Sequence, residues 1–126
     1  MEAMQKGLNA ELEVLKKVQK EYQKSVSAHQ QLDAQLSENK IVKEELDLLK
    51  PCNTVYKMMG PVLVKQDIED AKMNVDKRIK YITSELERQN KQLADQEEKM
   101  QKTKENLNKI QSQMQQVQMK SMQGQA

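Results

Sequence analysis

Between Val75 and Val117 the chain returns to a small set of side chains at fixed intervals: Val75, Ile79, Ile82, Leu86, Gln89, Leu93, Gln96, Met100, Thr103, Leu107, Ile110, Met114 and Val117. The steps alternate between four and three without a break. That is a 3.5-residue repeat, the seam of a left-handed coiled coil. One seam position is apolar throughout (Ile79, Leu86, Leu93, Met100, Leu107, Met114). The other turns polar in its middle, at Gln89, Gln96 and Thr103. The pattern predicts a helix over 68–118 and a flexible tail over 119–126.

The first half carries a looser version of the repeat. Leu8, Leu12, Leu15, Val18, Tyr22, Val26, His29, Leu32, Leu36, Asn39, Val42, Leu46 and Leu49 also advance by threes and fours, with extra threes that depart from a strict heptad. A helix over 4–49 follows. Acid-to-lysine pairs four residues apart support both helices on their outer faces: Glu13/Lys17, Asp76/Lys80, Glu87/Lys91, Glu98/Lys102 and Glu105/Lys109. Each contributes only about 0.2–0.5 kcal/mol.

The pattern breaks at Pro51, which lacks an amide donor and disfavours helical geometry in the residue before it. Two short apolar runs then flank Gly60-Pro61, a composition found nowhere else in the chain. They predict a β-hairpin over 54–65, with strands near 54–59 and 62–65. Asp67 is placed to cap the second helix with its carboxylate. Two helices of similar length, about 70 and 75 Å at 1.5 Å per residue, joined by a hairpin, favour an antiparallel pair. Symmetry about residues 58–59 gives partners whose numbers sum to about 117: Leu8 with Ile110, Val18 with Met100, Leu32 with Leu86 and Leu36 with Ile82. The same register brings His29 near Gln89 and Tyr22 near Gln96. The fold class is thus mainly α, a long antiparallel two-helix coiled coil with one β-hairpin, in a single domain over 1–126.

A lone hairpin is marginal in water, and its edges offer unpaired backbone groups to other strands. Its apolar side chains (Val55, Met58, Met59, Val62, Leu63, Val64) are left without cover by any other segment. The inference is assembly through the hairpins, into a shared sheet or barrel that closes the edges. The far end of the arm is also unusual. Residues beyond about 113 have no partner in the first helix. From Ile110 to Met119 there is no charge, and the antiparallel register is expected to bring Met114, Met119 and Met122 near Met1 and Met4. Methionine is flexible and polarisable and recurs on promiscuous binding surfaces. Ordinary seam packing followed by a frayed polar tail accounts for the same residues.

Composition sharpens this reading. Of 126 residues 37% are hydrophobic and 32% charged, with three Tyr and neither Phe nor Trp. Globular domains run at about 45–50% apolar, so a self-contained globular enzyme is excluded. The charge belongs to solvated helix faces. A net charge of +2 gives no electrostatic case for nucleic acid or membrane surface, and no apolar run approaches the roughly 20 residues a bilayer demands. The stretch Met1–Lys6 lacks the basic start and apolar core of a secretory signal, so a cytosolic (cytoplasmic) or nuclear protein is expected. Cys52 is the only cysteine and His29 the only histidine. They support neither a metal cluster nor a nucleophilic site, and no catalytic constellation, metal or cofactor is expected. His29 lies on the seam, as a buried or register-setting residue.

The block Glu38-Asn39-Lys40-Ile41-Val42-Lys43-Glu44-Glu45-Leu46 leads into Val55-Tyr56-Lys57-Met58-Met59-Gly60-Pro61-Val62-Leu63-Val64-Lys65-Gln66, and Lys77-Arg78-Ile79-Lys80-Tyr81-Ile82-Thr83 follows. Together these resemble a β-type prefoldin subunit of the eukaryotic kind. The likeness covers nearly the whole chain and is strongest from about 36 to 95. The 17 residues of 51–67 have room for the single hairpin of a β-type subunit. The resemblance implies a heterohexamer of two α-type and four β-type subunits whose hairpins, here Val55, Tyr56, Met58, Met59, Gly60, Pro61, Val62, Leu63 and Val64, join in a β-barrel body. It implies ATP-independent capture of unfolded or nascent proteins, actin and tubulin among them, at the coiled-coil tips, and delivery to the cytosolic chaperonin. At the tip of this chain the client contacts implied are Met4, Leu8, Met114, Val117 and Met119, exposed by fraying. A coiled-coil tether without chaperone activity explains the heptads equally well but leaves the hairpin unexplained.

Overall fold

The computed structural model describes residues 2–124. Its elements are α1 (Glu2–Leu48), β1 (Val55–Met59), β2 (Val62–Gln66) and α2 (Ile68–Gly124). The chain divides into two compact units. One is Ala28–Asn90, which holds the hairpin; the other joins the segment up to Ser27 with the segment from Lys91.

In the hairpin unit α1 stops two residues short of Lys50, and Asn53 closes the connection. The Asn53 side-chain oxygen accepts from the Lys50 amide at 2.7 Å, and the Asn53 amide donates to the Lys50 carbonyl at 2.9 Å. Pro51 and Cys52 form the turn between them. At the start of α2, Asp67 acts through its backbone: its carbonyl accepts the Ala71 amide at 2.9 Å. No hydrogen bond to its carboxylate forms among the described residues, which corrects the expected side-chain cap. Leu46, Ala71 and Val75 make the buried core, with Leu49, Val55 and Ile79 packed against it. Burial of a Val or Leu side chain contributes about 1.5–3 kcal/mol, so this small cluster holds the base of the hairpin to both helices.

One flank of this unit is closed by polar contacts between the helices. The Lys43 ammonium lies 3.0 Å from the Asp76 carboxylate, and Lys72 lies 3.9 Å from Asp47. His29 Nε2 meets Asn90 Oδ1 at 2.8 Å, while its Nδ1 lies 3.2 Å from Asp33. The numbers in the pairs 43/76, 47/72 and 29/90 each add to 119. This register lies within two residues of the sum expected from symmetry. Its consequence is that His29 meets Asn90 on the flank rather than the neighbouring seam residue Gln89, whose side-chain oxygen is buried without a partner.

In the other unit Val18, Ser25, Gln96, Thr103 and Leu107 are buried. The pattern repeats: Tyr22 donates to Glu97 Oε1 at 2.9 Å, not to Gln96, and the Gln96 Oε1 is left unpartnered. Thr103 satisfies its hydroxyl on the Lys99 carbonyl of its own helix at 2.8 Å. Near the end of the arm a Cβ on Gly7 would sit 4.0 Å from Ile110 Cδ1.

The α2 seam follows the residues the sequence pattern picks out, each of them buried or half-buried. The α1 seam follows its expected residues except at Leu12 and Val42. Buried or half-buried positions at heptad spacing there run Met4, Leu8, Glu11, Leu15, Val18, Tyr22, Ser25, His29, Leu32, Leu36 and Asn39 by fours and threes, then seven residues on to Leu46 past the exposed Lys43; Val26 and Leu49 are half-buried as well. Leu12 and Val42 are exposed, and Ser25, not Val26, is the more deeply buried of that pair. A straight seam is geometrically cheaper than the local over-winding that extra three-residue steps would require, so α1 accepts Glu11 and Ser25 in it. Of the acid-to-lysine pairs expected along the helices, Glu98–Lys102 forms at 3.4 Å. Glu13 turns to Lys16, and Asp76 crosses to Lys43.

The helix expected to end at 118 continues to Gly124. Met119–Gln123 contains no breaker, and Met, Lys and Gln are good helix formers. Of the tail expected over 119–126, residues 125 and 126 lie outside the described residues.

Candidate functional site

The hairpin is built around Gly60, whose φ is +62°, a left-handed value open to glycine without steric penalty. Glycine followed by proline in a two-residue loop matches a type II′ turn, whose twist suits the flanking strands. The strands pair antiparallel with Val55 opposite Gln66, Tyr56 opposite Lys65, Lys57 opposite Val64, Met58 opposite Leu63 and Met59 opposite Val62. Because directly paired residues share a face, one face carries Val55, Lys57, Met59, Val62, Val64 and Gln66. The opposite face carries Tyr56, Met58, Leu63 and Lys65.

Only Val55 is turned into the helix-packed core. Tyr56, Met58, Met59, Val62, Leu63 and Val64 are all exposed, Met58 at 75% of its full area. With two strands in the sheet, both are edges. Apolar side chains on both faces and two open edges make this hairpin a surface shaped for pairing with other strands.

At the arm's end, in the other unit, Met4, Leu8, Met114 and Val117 are half-buried and Met119 is 63% exposed. The structure therefore sets four of the five proposed tip contacts along the helix pair and leaves Met119 open. Met1 lies outside the described residues. Since α1 and α2 run in opposite directions with the 22/97 register, Glu2 stands alongside about residue 117. Beyond it α2 continues with no described residue of α1 opposite. There Val117, Gln118, Ser121 and Met122 line a hollow of about 330 Å³, and Met122 is 74% exposed. Met122 and Ser121 belong to this surface, although sequence reasoning assigned them to a flexible tail. The unbroken run of helix formers beyond Val117 is the signal that places them on the helix.

Two polar contacts shift ionisable groups. The hydrogen bond from Tyr22 to Glu97 holds the phenol above the ordinary tyrosine value, with partial burial and the Glu97 charge adding in the same direction. The Asp76 carboxylate raises Lys43, by hydrogen bonding first and by charge second. Both are contacts between helices. Cys52 is an exposed free thiol in the connector. No helix among the described residues is long and apolar enough to cross a membrane.

Comparison with known proteins gives this arrangement a family. The model of the prefoldin subunit family matches residues 9–114. The chain belongs to the prefoldin subunit family. It is 51% identical to prefoldin subunit 6 of Mus musculus over 94 residues, 75% of this chain and 74% of the relative. Prefoldin subunit 6 of Arabidopsis thaliana is 45% identical over 92 residues, 73% of this chain and 71% of the relative. The crystal structure of the prefoldin beta subunit from Thermococcus strain KS-1 superposes with a TM-score of 0.72 at 27% identity, covering 84% of this chain and 90% of that one. Two long helices with one antiparallel hairpin between them are the prefoldin fold. Prefoldin subunits are chaperone subunits and assemble with other prefoldin subunits.

Proposed function

We propose that this chain is a β-type subunit of a heterohexameric, ATP-independent chaperone of the cytoplasm. In it the hairpin residues from Val55 to Val64 form part of a β-barrel body, and the arm tips capture unfolded or nascent proteins, actin and tubulin among them, for delivery to the cytosolic chaperonin. The observation that carries the reading is the separation of two exposed apolar surfaces by role. One is a two-edged hairpin rooted in a small core through Val55; the other is a Met-rich helix end extending past the described start of α1.

The physics of capture follows from weak, repeated contact. Burying apolar client surface contributes about 25 cal/mol per Å², so one patch the size of Val117, Met119 and Met122 binds feebly. Several arms engaging one chain convert these into avidity without a strong single site, and each contact remains easy to release. Methionine at the contacts tolerates varied client side chains.

Deleting residues 111–126 is the test. The truncated chain should still enter the complex with its partner subunits, while suppression of aggregation of a denatured client falls. Full suppression by the truncated complex would overturn the assignment of the tip.

A further inference from the structure

The stretch Lys77–Thr83 is part of the resemblance to prefoldins, yet it lies neither in the hairpin nor at the tip. In the unit Ala28–Asn90 it lines a groove made of two hollows that share Arg78. Gln35 and Asn39 of α1 with Lys77, Arg78, Tyr81 and Ile82 of α2 line a hollow of about 430 Å³. Arg78 also lines a second hollow of about 200 Å³, which continues along Val42, Asn74 and Val75 to Tyr56 and Lys57 of β1.

The two flanks of this helix pair are unlike. On one, Lys43–Asp76 and Asp47–Lys72 tie α1 to α2. The groove occupies the other, where heptad spacing places Val42 of α1 opposite Arg78 of α2. There no ion pair between the helices forms among the described residues, and apolar area is left open: Val42 is exposed, and so are Tyr56 and Tyr81. The charge is one-sided as well. The chain as a whole is nearly neutral, yet every charged residue lining the two hollows is a cation, Lys57, Lys77 and Arg78, with no carboxylate among them.

We propose that this groove docks an acidic peptide segment of a partner protein, one that alternates carboxylates with aliphatic side chains. The aliphatic groups would lie over Val42, Tyr81 and Ile82, and the carboxylates would pair with Arg78, Lys77 and Lys57. Arginine presents a planar fork that takes a carboxylate through two hydrogen bonds. Tyrosine and arginine are also the side chains most often found to dominate binding surfaces. The apolar floor supplies affinity, and the cationic rim supplies selection by sign.

The test uses the complex formed with partner subunits and a fluorescein-labelled peptide of alternating glutamate and leucine, followed by anisotropy. Its lysine-for-glutamate counterpart is the control. The acidic peptide should bind saturably and the basic one should not. Lys77→Glu with Arg78→Glu should weaken binding by at least about tenfold, Tyr81→Ala by several-fold, and Lys77→Gln with Arg78→Gln to an intermediate degree. Native mass spectrometry should find all three variants in the complex. Absence of saturable binding, or equal binding by the charge-reversed variant, would overturn the proposal. So would exclusion of both the reversed and the neutral double variants from the complex, since the groove would then be a face covered by a neighbouring subunit.

Discussion

The Tyr22 hydroxyl donates its hydrogen bond to Glu97, 2.9 Å away on α2, and not to the buried Gln96 one residue earlier. In the hairpin unit the same offset recurs, with His29 meeting Asn90 while the Gln89 oxygen stays unpartnered. The helices thus place these cross-helix hydrogen bonds on the flank and leave the seam oxygens of Gln89 and Gln96 unsatisfied. A buried acceptor without a partner costs about 1–3 kcal/mol. Local weakness in the middle of the seam follows directly.

Replacing that acceptor by an isosteric apolar group should therefore stabilise the arm. Gln96→Leu is expected to raise stability by about 1 kcal/mol, read as a higher denaturation midpoint of the helical signal of the complex. Gln89→Leu should act in the same direction. A lowered midpoint in both would show that these amides fix register rather than merely weaken the seam.

Alkaline pH should loosen the contacts of Tyr22 and Lys43. Both groups are raised in the folded state, from ordinary values of 10.0 and 10.5. The native state then keeps protons that the unfolded chain releases, so stability falls as pH climbs. The contributions are fully present below about pH 10 and are lost as pH rises through the folded values. Denaturation of the complex at pH 9 and 11 should show this decline, and Tyr22→Phe should flatten it. An unchanged slope would assign the decline to other groups.

Gly7 offers a gain at the arm's end. A methyl group there meets Ile110 Cδ1 at 4.0 Å, an ordinary contact, and alanine is favoured over glycine inside a helix by about 0.5–1 kcal/mol. Gly7→Ala should slow hydrogen exchange over the first turns of α1. If capture requires the tip to fray, the same variant should suppress client aggregation less well; equal suppression with slower exchange would place capture on Met119 and Met122, which are exposed without fraying.

The hairpin carries the heaviest assembly demand. Val62 and Leu63 point to opposite faces and are both exposed. Val62→Asp with Leu63→Asp puts a carboxylate on each face. Sedimentation of the variant mixed with its partner subunits should show loss of the complex, with helical content retained. An intact complex would leave the hairpin without its role.

How much of this was legible in the residues varies along the chain. The α2 seam could be read directly because Gln89, Gln96 and Thr103, although polar, keep the interval. The α1 seam departs from the apolar pattern at Leu12 and Val42, which are exposed, because the backbone period brings Glu11 into the seam and buries Ser25 beside the half-buried Val26. Gly60-Pro61 between β-branched runs announced the hairpin. The Asp67 carboxylate suggested a cap that the backbone carbonyl provides instead. The groove at Arg78 and Tyr81 was invisible, since it depends on which flank the ion pairs close, and that is a property of two helices in register.

Hydrogen exchange on the assembled complex, with and without a denatured client, tests the central claim most directly. Amides of Val55–Met59 and Val62–Gln66 should be protected in both states, and those from Met114 to Gln123 should gain protection only with client. Hairpin amides that exchange freely in the complex, or a tip unaffected by client, would contradict it.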